Sequence, residues 1–135
     1  MKGRKPKISL EVSTQTTKCP AAPAWMTKDA KAEWKRTAPQ VHGRGHLTDD
    51  TRATLEAYCI AAGTVRETEE IMIREGRVIE TKDGPKRHPA FSMQSSAMRE
   101  ARLLAAELGL TPHRRGKPDT DDGGKGDGWD EELLA

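Results

Sequence analysis

Two clusters of positive charge are the part of the sequence best suited to chemistry. The first comprises Lys2, Arg4, Lys5 and Lys7, and the second comprises Arg114, Arg115 and Lys117. Lysine and arginine bind the phosphates of nucleic acids because each contact releases condensed counterions. Neither cluster contains an aromatic residue that could stack on single-stranded bases, so we expect the ligand to be duplex DNA. A basic tail that only aids solubility is the alternative.

Motifs for catalysis, metals and cofactors are absent. Gly116-Lys117 is followed by Pro118 and lacks the earlier glycine of a nucleotide-binding loop, so we expect no nucleotide hydrolysis. His42 and His46 have i, i+4 spacing, but the glycines between them should unwind the helix that zinc binding would need, which favours ordinary loop histidines. The sequence therefore predicts a protein that is not an enzyme and holds no metal and no cofactor.

The C-terminal end has the opposite charge. Residues 119–135 carry a net charge of −6, although the whole chain has a net charge of only +2. Trp129, Leu133 and Leu134 lie in this acidic stretch and resemble the anchors of a short docking peptide for a basic partner surface. An unstructured tail without a partner is the open alternative.

Composition indicates a folded centre between two flexible ends. The chain has 135 residues, enough for one small domain, and Phe, Ile, Leu and Val make up only about 14% of it. We predict a flexible basic arm over 1–24, a helical core over 25–112 and a flexible tail over 113–135. A short strand at 8–12 that forms only on assembly is a further possibility. With two cysteines and no apolar run long enough to span a membrane, we expect the chain to be neither secreted nor inserted.

Helical periodicity and capping signals predict three helices. The first begins at Thr27, is kinked or loses its regular geometry at Pro39, and is closed by Gly43 and Gly45. The second covers 48–75 up to Gly76, and the third begins at Pro89 and ends before Gly109. Residues 78–87 contain an Asp-Gly turn and predict a small β-hairpin. The expected inner face of the third helix is Met93, Ala97, Ala101, Leu104 and Leu108.

The predicted fold is mainly α, with a long antiparallel helical pair joined by the hairpin and braced by the first helix. Its core is thin, because the third helix contributes mostly alanines. We therefore expect the chain to self-associate. The residues assigned to the core or to an interface between copies are Trp34, Leu55, Tyr58, Val65, Leu104 and Leu108.

Four sequence blocks in this order resemble a known family. They are residues 23–34 (PAWMTKDAKAEW), 47–59 (LTDDTRATLEAYC), 88–90 (HPA) and 104–112 (LAAELGLTP). The chain resembles phage terminase small subunits over roughly 20–115.

The resemblance implies a role in packaging the viral genome in the host cell cytoplasm. Small subunits of this kind form rings, recognise the packaging-start region of double-stranded viral DNA and deliver it to the large subunit, which carries the ATPase and the nuclease. The acidic tail would then dock on the large subunit or on the portal. A DNA-binding transcription regulator and a structural adaptor of virion assembly are the alternatives.

Overall fold

The computed structural model describes residues 18–112. This part of the chain contains three helices and one two-stranded antiparallel hairpin, which confirms the mainly helical prediction. The elements are α1 (Lys28–Gly43), α2 (Asp49–Glu75), β1 (Val78–Thr81), β2 (Gly84–Arg87) and α3 (Pro89–Glu107). None of these helices is long and apolar enough to cross a membrane.

Helix α1 begins as predicted. The Thr27 hydroxyl accepts a hydrogen bond from the Ala30 amide at 3.4 Å, and Asp29 places a negative charge in the first turn. Pro39 lies inside the helix, which continues to Gly43 and ends there as predicted. Its buried face comprises Ala30, Trp34, Thr37, Ala38 and Val41.

Helix α2 is the longest element. Thr48 precedes its first turn, where the Thr48 amide donates to the Thr51 hydroxyl at 2.9 Å. Gly76 follows its last turn with a φ of +88°, a backbone conformation that favours glycine. Both boundaries therefore agree with the prediction.

The hairpin connects α2 to α3 and turns the chain back. Val78 pairs with Arg87 and Thr81 with Gly84, so Lys82 and Asp83 form a two-residue turn. His88 then caps α3, because its Nδ1 accepts from the Ala90 amide at 2.9 Å. The His88 Nε2 lies 2.6 Å from a carboxylate oxygen of Glu75, which ties the end of α2 to the start of α3.

The core lies where all three helices meet. Buried side chains from α1, α2 and the end of α3 form one cluster, to which Leu47 contributes from the loop between α1 and α2. Gly63 permits the close approach of α1 and α2, because a Cβ added there would lie only 2.8 Å from the Ala30 nitrogen. The Arg44 guanidinium donates to the Gly109 carbonyl at 2.7 Å and closes this end of the bundle.

The inner face of α3 differs from the prediction at one residue. Met93 is 60% exposed, and the neighbouring Gln94 is buried in its place. Gln94 is accommodated because its amide donates to the Glu69 carboxylate at 2.6 Å. A buried amide with such a partner avoids the cost of an unpaired polar group, so α3 can direct Gln94 rather than Met93 toward α2.

Candidate nucleic-acid interface

One side of α1 carries a stripe of exposed positive charge. Lys28, Lys31 and Lys35 have i, i+3, i+7 spacing and therefore lie on one side of the helix. All three are exposed, and none forms an ion pair with another residue in the range 18–112. We call these residues the lysine stripe. Three exposed ammonium groups along one helix can contact successive phosphates of a duplex.

The segment before α1 lies beside the lysine stripe. Residues 19–22 line a shallow cavity of about 380 Å³ together with Lys31, Lys35 and Trp34. The indole Nε1 of Trp34 donates to the Pro20 carbonyl at 3.1 Å and holds this segment against the helix. Residues 19–22 therefore lie on the basic side of α1.

Another side of α1 carries a polar network that is already internally satisfied. The Tyr58 hydroxyl donates to the Glu33 carboxylate at 2.8 Å, and the Arg36 guanidinium forms an ion pair with the same carboxylate. Burial alone would raise the pKa of Glu33, but the hydrogen bonds from Arg36 and Tyr58 outweigh it and hold this pKa below its usual value. Burial, followed by the hydrogen bond to Glu33, raises the pKa of Tyr58 to about 12. This network joins α1 to α2 and stabilises the fold.

A second, smaller basic patch lies on α3. Arg99 and Arg102 are exposed and line a shallow depression with Ser95 and Met98. Neither arginine forms an ion pair within the described residues. The pair is thus available for an anionic ligand.

The residues predicted for DNA contact lie outside the described residues. This holds for Lys2, Arg4, Lys5 and Lys7, for Arg114, Arg115 and Lys117, and for the docking residues Trp129, Leu133 and Leu134. The lysine stripe and the arginines of α3 were missed by the sequence reasoning. The spacing of Lys28, Lys31 and Lys35 was visible in the sequence, but the position of residues 19–22 beside them was not.

The residues predicted for the core or interface are found mostly inside one subunit. Trp34, Leu55, Tyr58 and Leu108 belong to the buried cluster. Leu104 is half-buried and packs against that cluster, and Val65 is half-buried and lines a groove beside α2. Seven other large apolar side chains are exposed in the described residues, namely Trp25, Ile60, Ile73, Val78, Met93, Met98 and Leu103.

The described residues offer little basis for metal binding or for catalysis by a cysteine. No group of three or more His, Cys, Asp or Glu side chains there could hold a metal ion. Cys59 is fully buried, and burial raises the pKa of its thiol to about 11. A thiol with this pKa is almost entirely protonated at neutral pH and is a poor nucleophile.

Comparison with known proteins decides the family. Residues 30–124, more than two thirds of the chain, match the family described as phage terminase, small subunit. The chain belongs to this family. The match confirms the predicted resemblance, and a role in phage DNA packaging follows from membership. No curated protein and no solved structure shows significant similarity to the chain.

The terminase small-subunit match begins within α1. It includes Lys31 and Lys35 but neither Lys28 nor the basic residues 2–7. At its other end it covers all of α2, the hairpin and α3, and continues through Arg114, Arg115 and Lys117. The lysine stripe therefore lies at the boundary between the part shared with the terminase small-subunit family and the segment that precedes it.

Proposed function

We propose that this chain is the non-catalytic, DNA-recognising subunit of a phage terminase. Several copies assemble into a ring in the host cytoplasm, bind double-stranded viral DNA at the packaging-start region and deliver it to the large subunit, which supplies the ATPase and the nuclease. The observation that carries this proposal is the family match over residues 30–124. This match favours a subunit of the packaging machinery over a positively charged protein with a different function.

The charge distribution supports DNA as the ligand. The lysine stripe and the segment from which residues 1–17 emerge lie on the same side of α1. We propose that Lys2, Arg4, Lys5 and Lys7 extend the phosphate contacts begun by the stripe. Arg114, Arg115 and Lys117 would add a second set. Each copy binds weakly, but several copies in one ring act on the same duplex at high effective concentration.

Exposed apolar side chains support assembly of several copies. Trp25, Met93 and Leu103 are each at least half exposed although they are large and apolar. Side chains of this kind are a common feature of protein interfaces. We propose that some of them are buried between neighbouring subunits, and that Trp129, Leu133 and Leu134 dock on a basic surface of the large subunit or the portal.

A gel-shift experiment tests the proposal. The chain should bind a packaging-start fragment more tightly than unrelated DNA of the same length, and addition of the large subunit should yield a larger complex. A transcription regulator would be indifferent to the large subunit. A structural adaptor would bind neither fragment.

A pair of lysine variants tests the interface itself. Replacing Lys31 and Lys35 by alanine should reduce the slope of log K against log salt by about 2, because each lost phosphate contact removes roughly one counterion. The control replaces Lys82 and Lys86 on the hairpin, which removes the same charge elsewhere and also breaks the ion pair between Lys86 and Asp83. Equal effects of the two double variants would place the DNA away from α1.

A further inference from the structure

An open groove lies along α2 beyond the N-terminal end of α1. Helix α1 crosses α2 near Gly63, whereas α2 continues to Glu75. The groove has a volume of about 500 Å³, and its apolar floor includes Val65, Ile73 and Met98. Ile73 is 72% exposed and Met98 is 50% exposed. This surface of α2 and α3 is therefore uncovered in the described part of the chain.

The rim of the groove is acidic. Four carboxylates line it, against the single guanidinium of Arg66. Glu33 is paired with Arg36 and Glu69 with Arg77, but Asp29 and Glu70 form no ion pair with any described residue. The groove thus suits a segment that has apolar side chains on one face and lysines at its end.

We propose that the N-terminal arm of the same chain, residues 5–12, docks in this groove. Ile8, Leu10 and Val12 alternate with polar residues, so an extended arm presents all three on one face. That face would cover Val65, Ile73 and Met98, while Lys5 and Lys7 would approach Glu70. The other end of the chain is a poor occupant, because residues 119–135 carry a net charge of −6 and the acidic rim would repel them.

The dimensions of the arm agree with those of the groove. Ile8 to Val12 spans about 13 Å in an extended strand. Val65 to Ile73 spans about 12 Å along the axis of α2. Five residues lie between Val12 and Lys18. The six Cα steps from Val12 to Lys18 can extend over about 20 Å, which exceeds half the circumference of a helix with its side chains, about 17 Å. The arm can therefore pass from the lysine stripe around α1 and into the groove.

Docking would regulate DNA binding, and this consequence rests on the proposed function whereas the docking itself does not. In the groove, Lys5 and Lys7 are occupied by carboxylates and are withdrawn from phosphates. A duplex bound at the lysine stripe competes for the same lysines and draws the arm out. The groove thus competes with DNA for Lys5 and Lys7 and weakens binding to DNA of any sequence.

Disulfide trapping tests the docking in the full-length chain without DNA. Leu10→Cys is combined with Met98→Cys in a Cys19→Ser background, and Cys59 is left in place because it is fully buried. The matched control combines Leu10→Cys with Leu103→Cys, since Leu103 is 51% exposed on a different side of α3. Under mild oxidation we expect the Met98 pair to form an intrachain disulfide about tenfold faster than the Leu103 pair, because docking raises the local concentration of the two thiols.

Two results would overturn the docking. One is equal rates for the Met98 and Leu103 pairs, since a freely moving arm would reach both positions. The other is a product that joins two chains, detected as a dimer on a non-reducing gel, since the groove would then bind a second copy. Peptide mapping of the oxidised monomer identifies the disulfide, and high salt should slow its formation because the rim charges are screened.

Charge reversal tests the competition with DNA. Glu70→Lys removes a rim carboxylate, and Glu100→Lys makes the same change in net charge at an exposed position outside the groove. We expect Glu70→Lys to bind duplex DNA about threefold more tightly than Glu100→Lys, a size typical of a surface ion pair. Deleting residues 1–12 from both variants should abolish the difference. A difference in DNA affinity that persists after the deletion would overturn the competition. If the disulfide between the arm and the groove forms but the chain binds no DNA, only the proposed function is overturned.

Discussion

The two ends of the helical bundle differ in how completely their apolar surface is covered. At the end formed by α1 and the loop after it, three helices meet and bury Trp34, Leu55 and Leu108 in one cluster. At the hairpin end only α2 and α3 continue, and Ile73, Val78 and Met93 are left mostly exposed there.

The difference follows from helix length. Helix α1 has 16 residues and spans about 24 Å, whereas α2 has 27 residues and spans about 40 Å. Roughly 16 Å of α2 therefore has no partner from α1. The three-helix end accounts for the stability of the subunit, and the two-helix end offers apolar surface to other segments or other copies.

The largest effect should come from removing a side chain at the three-helix end. Leu55→Ala removes a fully buried leucine, and we expect the free energy of unfolding to fall by about 3 kcal/mol because a cavity remains. Leu103→Ala, at a half-exposed leucine on α3, should lower it by less than about 0.5 kcal/mol. Urea denaturation followed by circular dichroism measures both values. Similar losses at the two positions would show that the exposed face of α3 is buried in solution.

The close contact between α1 and α2 gives the next effect. Gly63→Ala would place a Cβ against the Ala30 backbone, and we expect a loss of about 2 kcal/mol although alanine is normally the better helix former. Gly43→Ala, at the last residue of α1 where nothing lies within 4 Å, should be neutral or slightly stabilising. The denaturation midpoints of the two variants measure this difference. If Gly63→Ala leaves the midpoint unchanged, α1 and α2 can move apart at little cost in free energy.

The contrast between the ends was only partly predictable from the sequence. Helix boundaries follow from local chemistry, as at Thr27, Gly76 and Pro89, so they could be placed closely. The exposure of Met93 was wrongly predicted because an alanine-rich helix has only a weak apolar stripe, and one tertiary contact, from Gln94 to Glu69, can rotate it. The role of Gly63 depends on where two helices cross, which no local pattern specifies.

The candidate site was less predictable than the fold. The sequence predictions concentrated on dense charge at the two ends of the chain, whereas the lysine stripe is spread over eight positions of α1. Its significance depends on the nearby path of residues 19–22, and this path is held by the hydrogen bond from Trp34 to Pro20. Helical periodicity gives no information on long-range contacts of this kind.

The network of Glu33, Arg36 and Tyr58 should give the three-helix end a pH-dependent stability. The pKa of Glu33 is lowered in the folded state, so its contribution is complete above the ordinary value of 4.5 and is lost as the pH falls through the folded pKa. The pKa of Tyr58 is raised from 10.0 to about 12, so the native state loses stability as the pH rises from 10 toward 12.

A single variant isolates this network. Tyr58→Phe should lower the free energy of unfolding by about 1 kcal/mol at pH 7, because the Glu33 carboxylate loses a buried donor. A second measurement at an acidic pH, on the low side of the folded-state pKa of Glu33, should give a smaller loss, because the carboxylate is then protonated. Glu100→Gln, at an exposed carboxylate outside the network, serves as the control with no such pH dependence. A loss for Tyr58→Phe that is the same at both pH values would indicate that the phenol hydroxyl contributes without the carboxylate.

An effect of similar size should come from the two-helix end, at the junction of the hairpin with α3. His88→Ala removes both the cap on the Ala90 amide and the contact with Glu75, and we expect a loss of about 1 kcal/mol. His88→Asn retains an oxygen that can accept from the Ala90 amide but is too short to keep the Glu75 contact, so it should recover about half of that loss. Thermal unfolding of the wild type and the two variants separates the contribution of the cap to stability from that of the contact between α2 and α3. If His88→Asn recovers nothing, the link to Glu75 rather than the cap holds the two helices together where α1 no longer supports them.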